Sequence, residues 1–323
     1  YRDNKPKRGI DSMCTSVSFV IPCYRSEQTI TGVVEEITQT MGQLPGYTFE
    51  IILVNDCSPD DTFQIIRQLC GQYDNLIGIN LARNFGQHSA IMAGLHYATG
   101  DICVFLDDDG QTPANEVEKL LDAIAAGADV AMASYDHKMH SHFRNWGSKV
   151  NECMMHIMLR KPRELFVSSY FAVKRFVADS MLQYSNSYPY LPGLLLRATK
   201  NIVNVPVHHR EREVGTSGYT LKKLLGLWFN GFTAFSVVPL RAATAVGVAS
   251  AFVGFIYGIY TIIRKLVDPN ILLGFSSIMA AILFIGGMLM IMLGLVGEYI
   301  GRIYISLNNS PQYVVREAIG KGQ

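Results

Sequence analysis

Short apolar runs alternate with stretches of helical periodicity through the first two thirds of the chain. Val17–Ile21 is a β-branched and aromatic run ended by Pro22, which predicts a buried strand. Ser26 stands where a helix cap belongs, and Ile30, Val33, Val34, Ile37 and Met41 follow with one-face spacing. Phe49–Val54 predicts a second strand, followed by Asn55-Asp56-Cys57-Ser58 and a helix with Pro59 at its first position. Leu76–Leu81 reads as a third strand and Gln87–Ala98 as a helix closed by Gly100. Ile102–Leu106 is a fourth strand, Pro113–Ala126 a helix and Asp129–Ala133 a fifth strand. A Met- and His-containing helix is expected from Tyr135 to Leu159. Strands over Phe166–Val173 and Ile202–Val207 follow, with a helical stretch between them. This alternation predicts an α/β domain over residues 16–218 with a mostly parallel sheet covered on both faces. Ligands of such sheets bind beyond the carboxyl ends of the strands.

The pattern then changes. Leu221–Phe235 mixes Lys222, Lys223, Trp228 and phenylalanines, which suits an amphipathic juxtamembrane helix over 219–237. Ala242–Ile263 is uncharged for 22 residues and Ile271–Gly297 for 27. At about 1.5 Å per residue each run exceeds a hydrocarbon core of roughly 30 Å. Two transmembrane helices are expected, over 238–265 and 270–298, with 299–323 as a tail. An even number of spans leaves both ends on one side. Basic residues flank the first span on both sides, so charge alone does not orient the pair. Residues 1–15 read as a disordered leader, or as sequence upstream of a start at Met13; no signal peptide is visible.

Composition narrows the function classes. Lys+Arg 28 against Asp+Glu 27 leaves no global basic field, which argues against nucleic acid. Charged residues are 17% and hydrophobic ones 49%, a balance that fits membrane segments. The six cysteines form no metal-type spacing and fit a reducing compartment. His208 and His209 are neighbours on a strand end and point to opposite faces, a poor ligand pair.

The chemistry gathers in Phe105-Leu106-Asp107-Asp108-Asp109-Gly110-Gln111. At roughly 4 Å a like-charged pair costs about 1 kcal/mol in water and about 4 at an effective dielectric of 20. Three adjacent carboxylates therefore invite a cation, and hard oxygens suit Mg²⁺ or Mn²⁺. A solvated turn capped by Thr112 is the other reading of the same residues. Position decides between them. Pro22–Glu27, Asn55–Ser58, Arg83–Gly86 and Asp107–Gln111 each follow a predicted strand and share one edge of the sheet. Neither a dinucleotide fingerprint nor a phosphate-binding P-loop motif is present.

These residues resemble the inverting family 2 type of nucleotide-sugar glycosyltransferases with an A-type Rossmann-like domain, in which a D-x-D motif holds the metal and diphosphate. The resemblance narrows to the polyprenyl-phosphate glycosyltransferases through Arg83–Gly94, Asp107–Gln111, Val205–Ser217 and Gly297–Tyr304. It implies that Asp107 and Asp109 hold the metal, with Asp109 and Gln111 at the reacting centre. Pro22, Tyr24, Glu27, Asp56, Ser58, Arg83 and Asp107 would bind the donor nucleotide, with UDP favoured. Arg25-Ser26 and Asn55 depart from the residues usual in the family, and Asp108 is its variable middle position, expected to be the most replaceable of the three.

The implied acceptor is undecaprenyl phosphate, with Arg144, Arg210, Arg212 and Ser217 around its phosphate. Alternate residues on an extended loop face the same way, which favours Arg210 and Arg212 acting together. The family often carries an acid in the segment here occupied by Val167–Phe171; a phosphate acceptor, already ionised, does not need it. The resemblance further implies a multi-pass protein of the cytoplasmic membrane, with catalytic domain and termini cytoplasmic, acting as a homo-oligomer. A polysaccharide synthase and a catalytically silent membrane scaffold or lipid-carrier partner remain the alternatives.

Overall fold

A computed structural model describes residues 14–135, 162, 165–208, 238–267, 275–307 and 311–320. These fall into two compact units, an α/β unit formed by residues up to 208 with 311–320, and a helical unit within 238–307. In chain order the α/β unit holds β1 (Thr15–Cys23), α1 (Ile30–Gly42), β2 (Tyr47–Asn55), α2 (Thr62–Gln72), β3 (Leu76–Leu81), α3 (Gln87–Leu95) and β4 (Ile102–Phe105). A 3₁₀ turn, Ala114–Glu116, then leads into α4 (Val117–Ala125) and β5 (Val130–Tyr135). β6 (Phe171–Lys174), α5 (Arg175–Leu182), α6 (Leu191–Ala198) and β7 (Ile202–Val207) follow. The helical unit comprises α7 (Val238–Val267) and α8 (Phe275–Leu307), after which β8 (Val315–Ile319) rejoins the first unit.

The eight strands form one sheet in the order β7-β5-β6-β4-β1-β2-β3-β8. Only β6 and β8 run against the other six. Burial on both faces explains the unbroken apolar runs of the central strands. On one face Phe19, Ile21, Ile51 and Leu53 pack with Val34 and Ile37 of α1, Ile66 of α2 and Leu120 and Leu121 of α4. On the other face α3 lies against β1 and β2 so closely that Gly94 is required. A Cβ there would stand 2.6 Å from Val20 Cγ1 and 2.8 Å from Val54 Cγ2.

Four sequence expectations are corrected. Ser26 does not cap α1, whose N-cap is Thr29 without a side-chain bond. Pro59 precedes α2 rather than opening it, because Asp60 folds a turn whose carboxylate accepts the Thr62 amide at 3.3 Å. The strand expected over Phe166–Val173 shrinks to Phe171–Lys174. Side-chain bonds take over its first half: Asn204, 38 residues on, bonds the Phe166 amide and carbonyl, both at 2.8 Å, and Ser168 Oγ accepts the Tyr170 amide at 3.1 Å. The supposed tail after residue 298 is instead the end of α8 followed by an edge strand. β8 pairs antiparallel with β3, and Arg67 holds Glu317 through both carboxylate oxygens at 2.9 and 3.0 Å.

Both uncharged runs lie largely within long helices, but only one described window, Phe284–Gly301 in α8, is long and apolar enough to cross a membrane. The apolar stretch of α7, Ala243–Tyr257, is shorter. Large apolar side chains of both helices, among them Phe252, Phe255, Met290 and Ile291, are exposed. Of the helix expected over 135–159, Tyr135 instead ends β5; its remainder and the helix expected over 221–235 lie outside the described residues.

Because the groups facing Gly94 belong to stiff β-branched valines, Gly94→Ala overpacks the α3 interface. The expected cost is about 1–3 kcal/mol, read as a lower apparent unfolding midpoint in urea for the purified full chain.

Candidate active site

Strand register brings the loops together. β1 pairs with β2 in parallel out to Cys23↔Asn55, β2 with β3 to Asn55↔Asn80, and β1 with β4 to Val20↔Phe105. Chain leaving the four strands therefore emerges at one edge, as strand-end loops of a parallel sheet must.

The three consecutive aspartates are turned apart. Asp107 accepts Gln87 Nε2 at 2.7 Å on Oδ1 and Ser169 Oγ at 2.5 Å on Oδ2, from α3 and the segment before β6. Asp108 accepts the Tyr24 amide at 2.9 Å and the Ser26 hydroxyl, both on Oδ2. Asp109 Oδ1 accepts the Gln111 amide at 3.0 Å, closing its own turn around Gly110. Burial pushes the Asp108 carboxyl up to about 6, with the Asp107 charge adding to it and the bonds from Ser26 and Tyr24 opposing it. Asp108 is thus no loose middle residue. It ties the loop after β4 to the loop after β1.

The loop after β1 is stitched amide by amide. Tyr24 N–H donates to Asp108, Arg25 N–H to Ser58 Oγ at 2.8 Å, and Ser26 N–H to Thr62 Oγ1 at 2.9 Å. These bonds hold Arg25 at φ 60°, an uncommon conformation for a residue with a side chain. Glu27 reaches the second loop, accepting the Asp61 amide at 3.1 Å. Ser58 also bonds Asp60, whose carboxyl burial would raise but whose bonds from Ser58 and Thr62 bring below the usual range. Cys57 lies at φ 51°.

Asp56 is buried, and its two oxygens accept the Phe85 and Gly86 amides at 2.7 and 2.8 Å. Burial raises its pKa and those two bonds oppose the rise. It anchors the loop that precedes α3, while Asn84 bonds the Asp56 carbonyl at 3.2 Å. Arg83 lays its guanidinium 4.6 Å from the Phe85 ring centroid. Pro22 is buried within β1, whereas Tyr24 is exposed beside Arg25, 5.7 Å from its ring centroid.

Asp107, Asp109, Gln111, Pro22, Tyr24, Glu27, Asp56, Ser58 and Arg83 thus all lie on or beside these strand-end loops. Arg144, Arg210, Arg212 and Ser217 lie outside the described residues. Sequence reading missed the orienting roles of Gln87 and Ser169. Gln87 sits directly after the Arg83–Gly86 segment at the start of α3, a position that pointed to it; nothing in the sequence paired Ser169 with Asp107. Tyr135 stands near the same carboxylates. It is partly buried, which raises its pKa; a Ser168 bond opposes the rise, and the charges of Asp107 and Asp109 add to it.

The donor set fits a hard divalent cation in one specific way. Among the described residues no three His, Cys, Asp or Glu side chains gather into a ready-made cage. Asp107 and Asp109 offer carboxylates from one turn, and Gln87 and Ser169 orient the first as outer-sphere donors do. Mg²⁺ is commonly bound in this way, through one or two carboxylates plus substrate phosphate oxygens.

Strand-end carboxylates of a mostly parallel α/β sheet lie where such sheets bind their ligands. The chain belongs to glycosyl transferase family 2, whose model matches residues 18–182, and residues 238–303 match the GtrB C-terminal hairpin. It is a glycosyltransferase. Undecaprenyl-phosphate 4-deoxy-4-formamido-L-arabinose transferase of Proteus mirabilis (strain HI4320) is 33% identical over 311 residues, 94% of each chain. Its counterpart in Yersinia pestis (strain Pestoides F) is 32% identical over 310 residues, 95% of this chain and 94% of that one. Among solved structures, glucosyl-3-phosphoglycerate synthase from Mycobacterium tuberculosis, in complex with Mn²⁺ and UDP-glucose, superposes with a TM-score of 0.51 at 17% identity. The match covers 71% of this chain and 83% of that one, a likeness of fold.

Cys57→Gly should relieve the left-handed backbone, a penalty of about 1–2 kcal/mol less a Gly entropy cost of about 0.5–1. A rise of roughly 2 °C in apparent melting temperature is expected, read by differential scanning of the purified chain.

Proposed function

We propose that the chain transfers a sugar from a UDP-sugar to undecaprenyl phosphate, with inversion, at the cytoplasmic face of a membrane. The observation that carries this is the gathering of four strand-end loops at one edge of the sheet, with Asp107 oriented by Gln87 and Ser169. Near-full-length similarity to proteins named for undecaprenyl-phosphate transfer supports the acceptor.

In this reading Tyr24, Glu27, Ser58, Asp56, Arg83 and Pro22 form or brace the donor nucleotide side. Asp107 and Asp109 would hold Mg²⁺ or Mn²⁺, which when bound offsets negative charge on the departing diphosphate. A phosphate monoester oxygen of the acceptor attacks the anomeric carbon, and the bond from that carbon to the diphosphate oxygen breaks on the opposite side. No proton has to be removed from the nucleophile, because its phosphate is already ionised. A general base is therefore dispensable, and Ser168-Ser169 stand in the segment where an acid would repel the attacking oxygen. Arg144, Arg210, Arg212 and Ser217 bind the acceptor phosphate through charge-assisted bonds. Asp109 and Gln111 face the reacting centre.

α7 and α8 both cross the bilayer in this proposal. Their exposed apolar side chains suit lipid contact. Pairing of β8 with β3 supports an even number of crossings, since a single span would leave β8 across the membrane from its partner strand. Nucleotide sugars are cytosolic, so the sheet and both termini face the cytoplasm. A homo-oligomer is part of the proposal and is read by light scattering of the detergent-solubilised chain.

Membranes carrying the full chain, supplied with undecaprenyl phosphate, Mn²⁺ and a panel of labelled UDP-sugars, should yield an organic-phase product for one donor. Asp109→Ala is expected to lower its formation by about 10²–10³-fold, the size of losing one electrostatic stabiliser of a transition state. Product formation unchanged by that substitution would refute the metal-holding role. Absence of both product and Mn²⁺-dependent UDP binding would favour a silent scaffold.

Chelation supplies a separate check. EDTA should abolish turnover and excess Mn²⁺ or Mg²⁺ restore it; turnover that persists in EDTA contradicts the cation requirement.

A further inference from the structure

The geometry points to Asp108 as a positioning residue that latches the donor-side loop, rather than a ligand of cation or substrate. This rests on the proposed donor reading for its consequence, though not for the latch itself. Asp108 is partly buried, and one of its oxygens, Oδ2, receives both the Tyr24 amide at 2.9 Å and the Ser26 hydroxyl. Neither bond is local: the partners lie 84 and 82 residues apart in sequence. The bond to Tyr24 is the first of three successive amide contacts, continued by Arg25 on Ser58 and Ser26 on Thr62. Together they hold Arg25 in the left-handed region, where an unsupported residue with a Cβ would relax.

Tyr24 and Glu27 flank this strained residue, so their placement depends on the same bonds. Tyr24 presents an exposed ring at the mouth of the site, and Glu27 accepts the Asp61 amide from the second loop. A carboxylate without Ser26 would lose its hydroxyl partner. Ser26 without a carboxylate would present an unpaired buried hydroxyl, which is costly.

Both bonds converge on one oxygen, and this separates a latch from a metal ligand. An amide carbonyl oxygen can accept the same two donors but carries no charge. Asp108→Asn should therefore rescue what Asp108→Ala breaks, whereas at a metal-holding carboxylate it should not. The test uses the detergent-solubilised full chain. Hydrogen exchange at the peptide covering Tyr24–Ser26 should accelerate at least tenfold in Asp108→Ala and return to within about threefold of the parent in Asp108→Asn. Calorimetric titration with UDP in Mn²⁺ should give a Kd raised about tenfold in Asp108→Ala and within about threefold in Asp108→Asn, with the Mn²⁺ midpoint unmoved in both. Ser26→Ala, which keeps the amide bond, should give a smaller rise in Kd and keeps the test decisive should Asp108→Ala fail to fold.

Unaltered exchange in Asp108→Ala and Ser26→Ala would overturn the latch. So would an Asp108→Asn variant as defective as Asp108→Ala with a shifted Mn²⁺ midpoint, which would make Asp108 a ligand. Failure of the parent chain to bind UDP would count against the donor reading instead, and the exchange arm would still decide the latch.

Discussion

Parallel pairing in register is the constraint on which the site depends. β1 and β2 stay paired residue for residue from Thr15↔Tyr47 to Cys23↔Asn55, and β4 joins the other side of β1 at Val20↔Phe105. Leaving β4 at Phe105, the chain reaches Asp108 about where β1 ends, so its carboxylate meets the first amide beyond that strand. A slip of one residue in either pairing would turn every side chain of a strand to the opposite face. Core packing on both faces prevents such a slip: Val20 and Val54 leave room only for Gly94, while Phe19 and Leu53 serve the opposite layer.

That frame resolves the repulsion written into three adjacent carboxylates. Each finds donors on different elements: Asp107 on α3 and the segment before β6, Asp108 on the β1 loop, and Asp109 on its own turn. Hydrogen bonds to a carboxylate favour its charged form, while burial opposes it. The balance differs between neighbours, and at Asp108 desolvation prevails. In the proposed reading one motif holds two functions in adjacent residues, an outer pair for a cation and an inner residue that braces the walls.

The edge strand β8 gives the architecture a second form of closure. It covers β3, whose outer backbone groups would otherwise be open to pairing with another chain. Its ties are polar and partly exposed: the Arg67–Glu317 pair, Arg316 on the Ala82 carbonyl at 2.9 Å, and Tyr313 on His96 at 2.8 Å. Exposed ion pairs contribute little, so backbone bonding and burial of part of this short strand account for most of its attachment.

Much of this was legible in the chain. Hydrophobic periodicity determined the strands up to β5, because those strands are largely buried on both faces and their runs are mostly apolar. The D-x-D turn and the two uncharged runs were equally plain, since charge spacing is a property of sequence alone. Only the tertiary structure decided the rest. Ser26 reads as a helix cap until its hydroxyl is seen on Asp108, and Asp108 reads as a spare carboxylate until Tyr24 is brought to it from 84 residues away. Asp56 stands out in the sequence as a strand-end carboxylate, but only the fold shows its two oxygens accepting the Phe85 and Gly86 amides. β8 and the first half of the Phe166–Val173 segment were misread for the same reason. Hydrogen-bond partners distant in sequence carry no local signature, and a polar side chain's role is set by whichever donor the fold delivers to it.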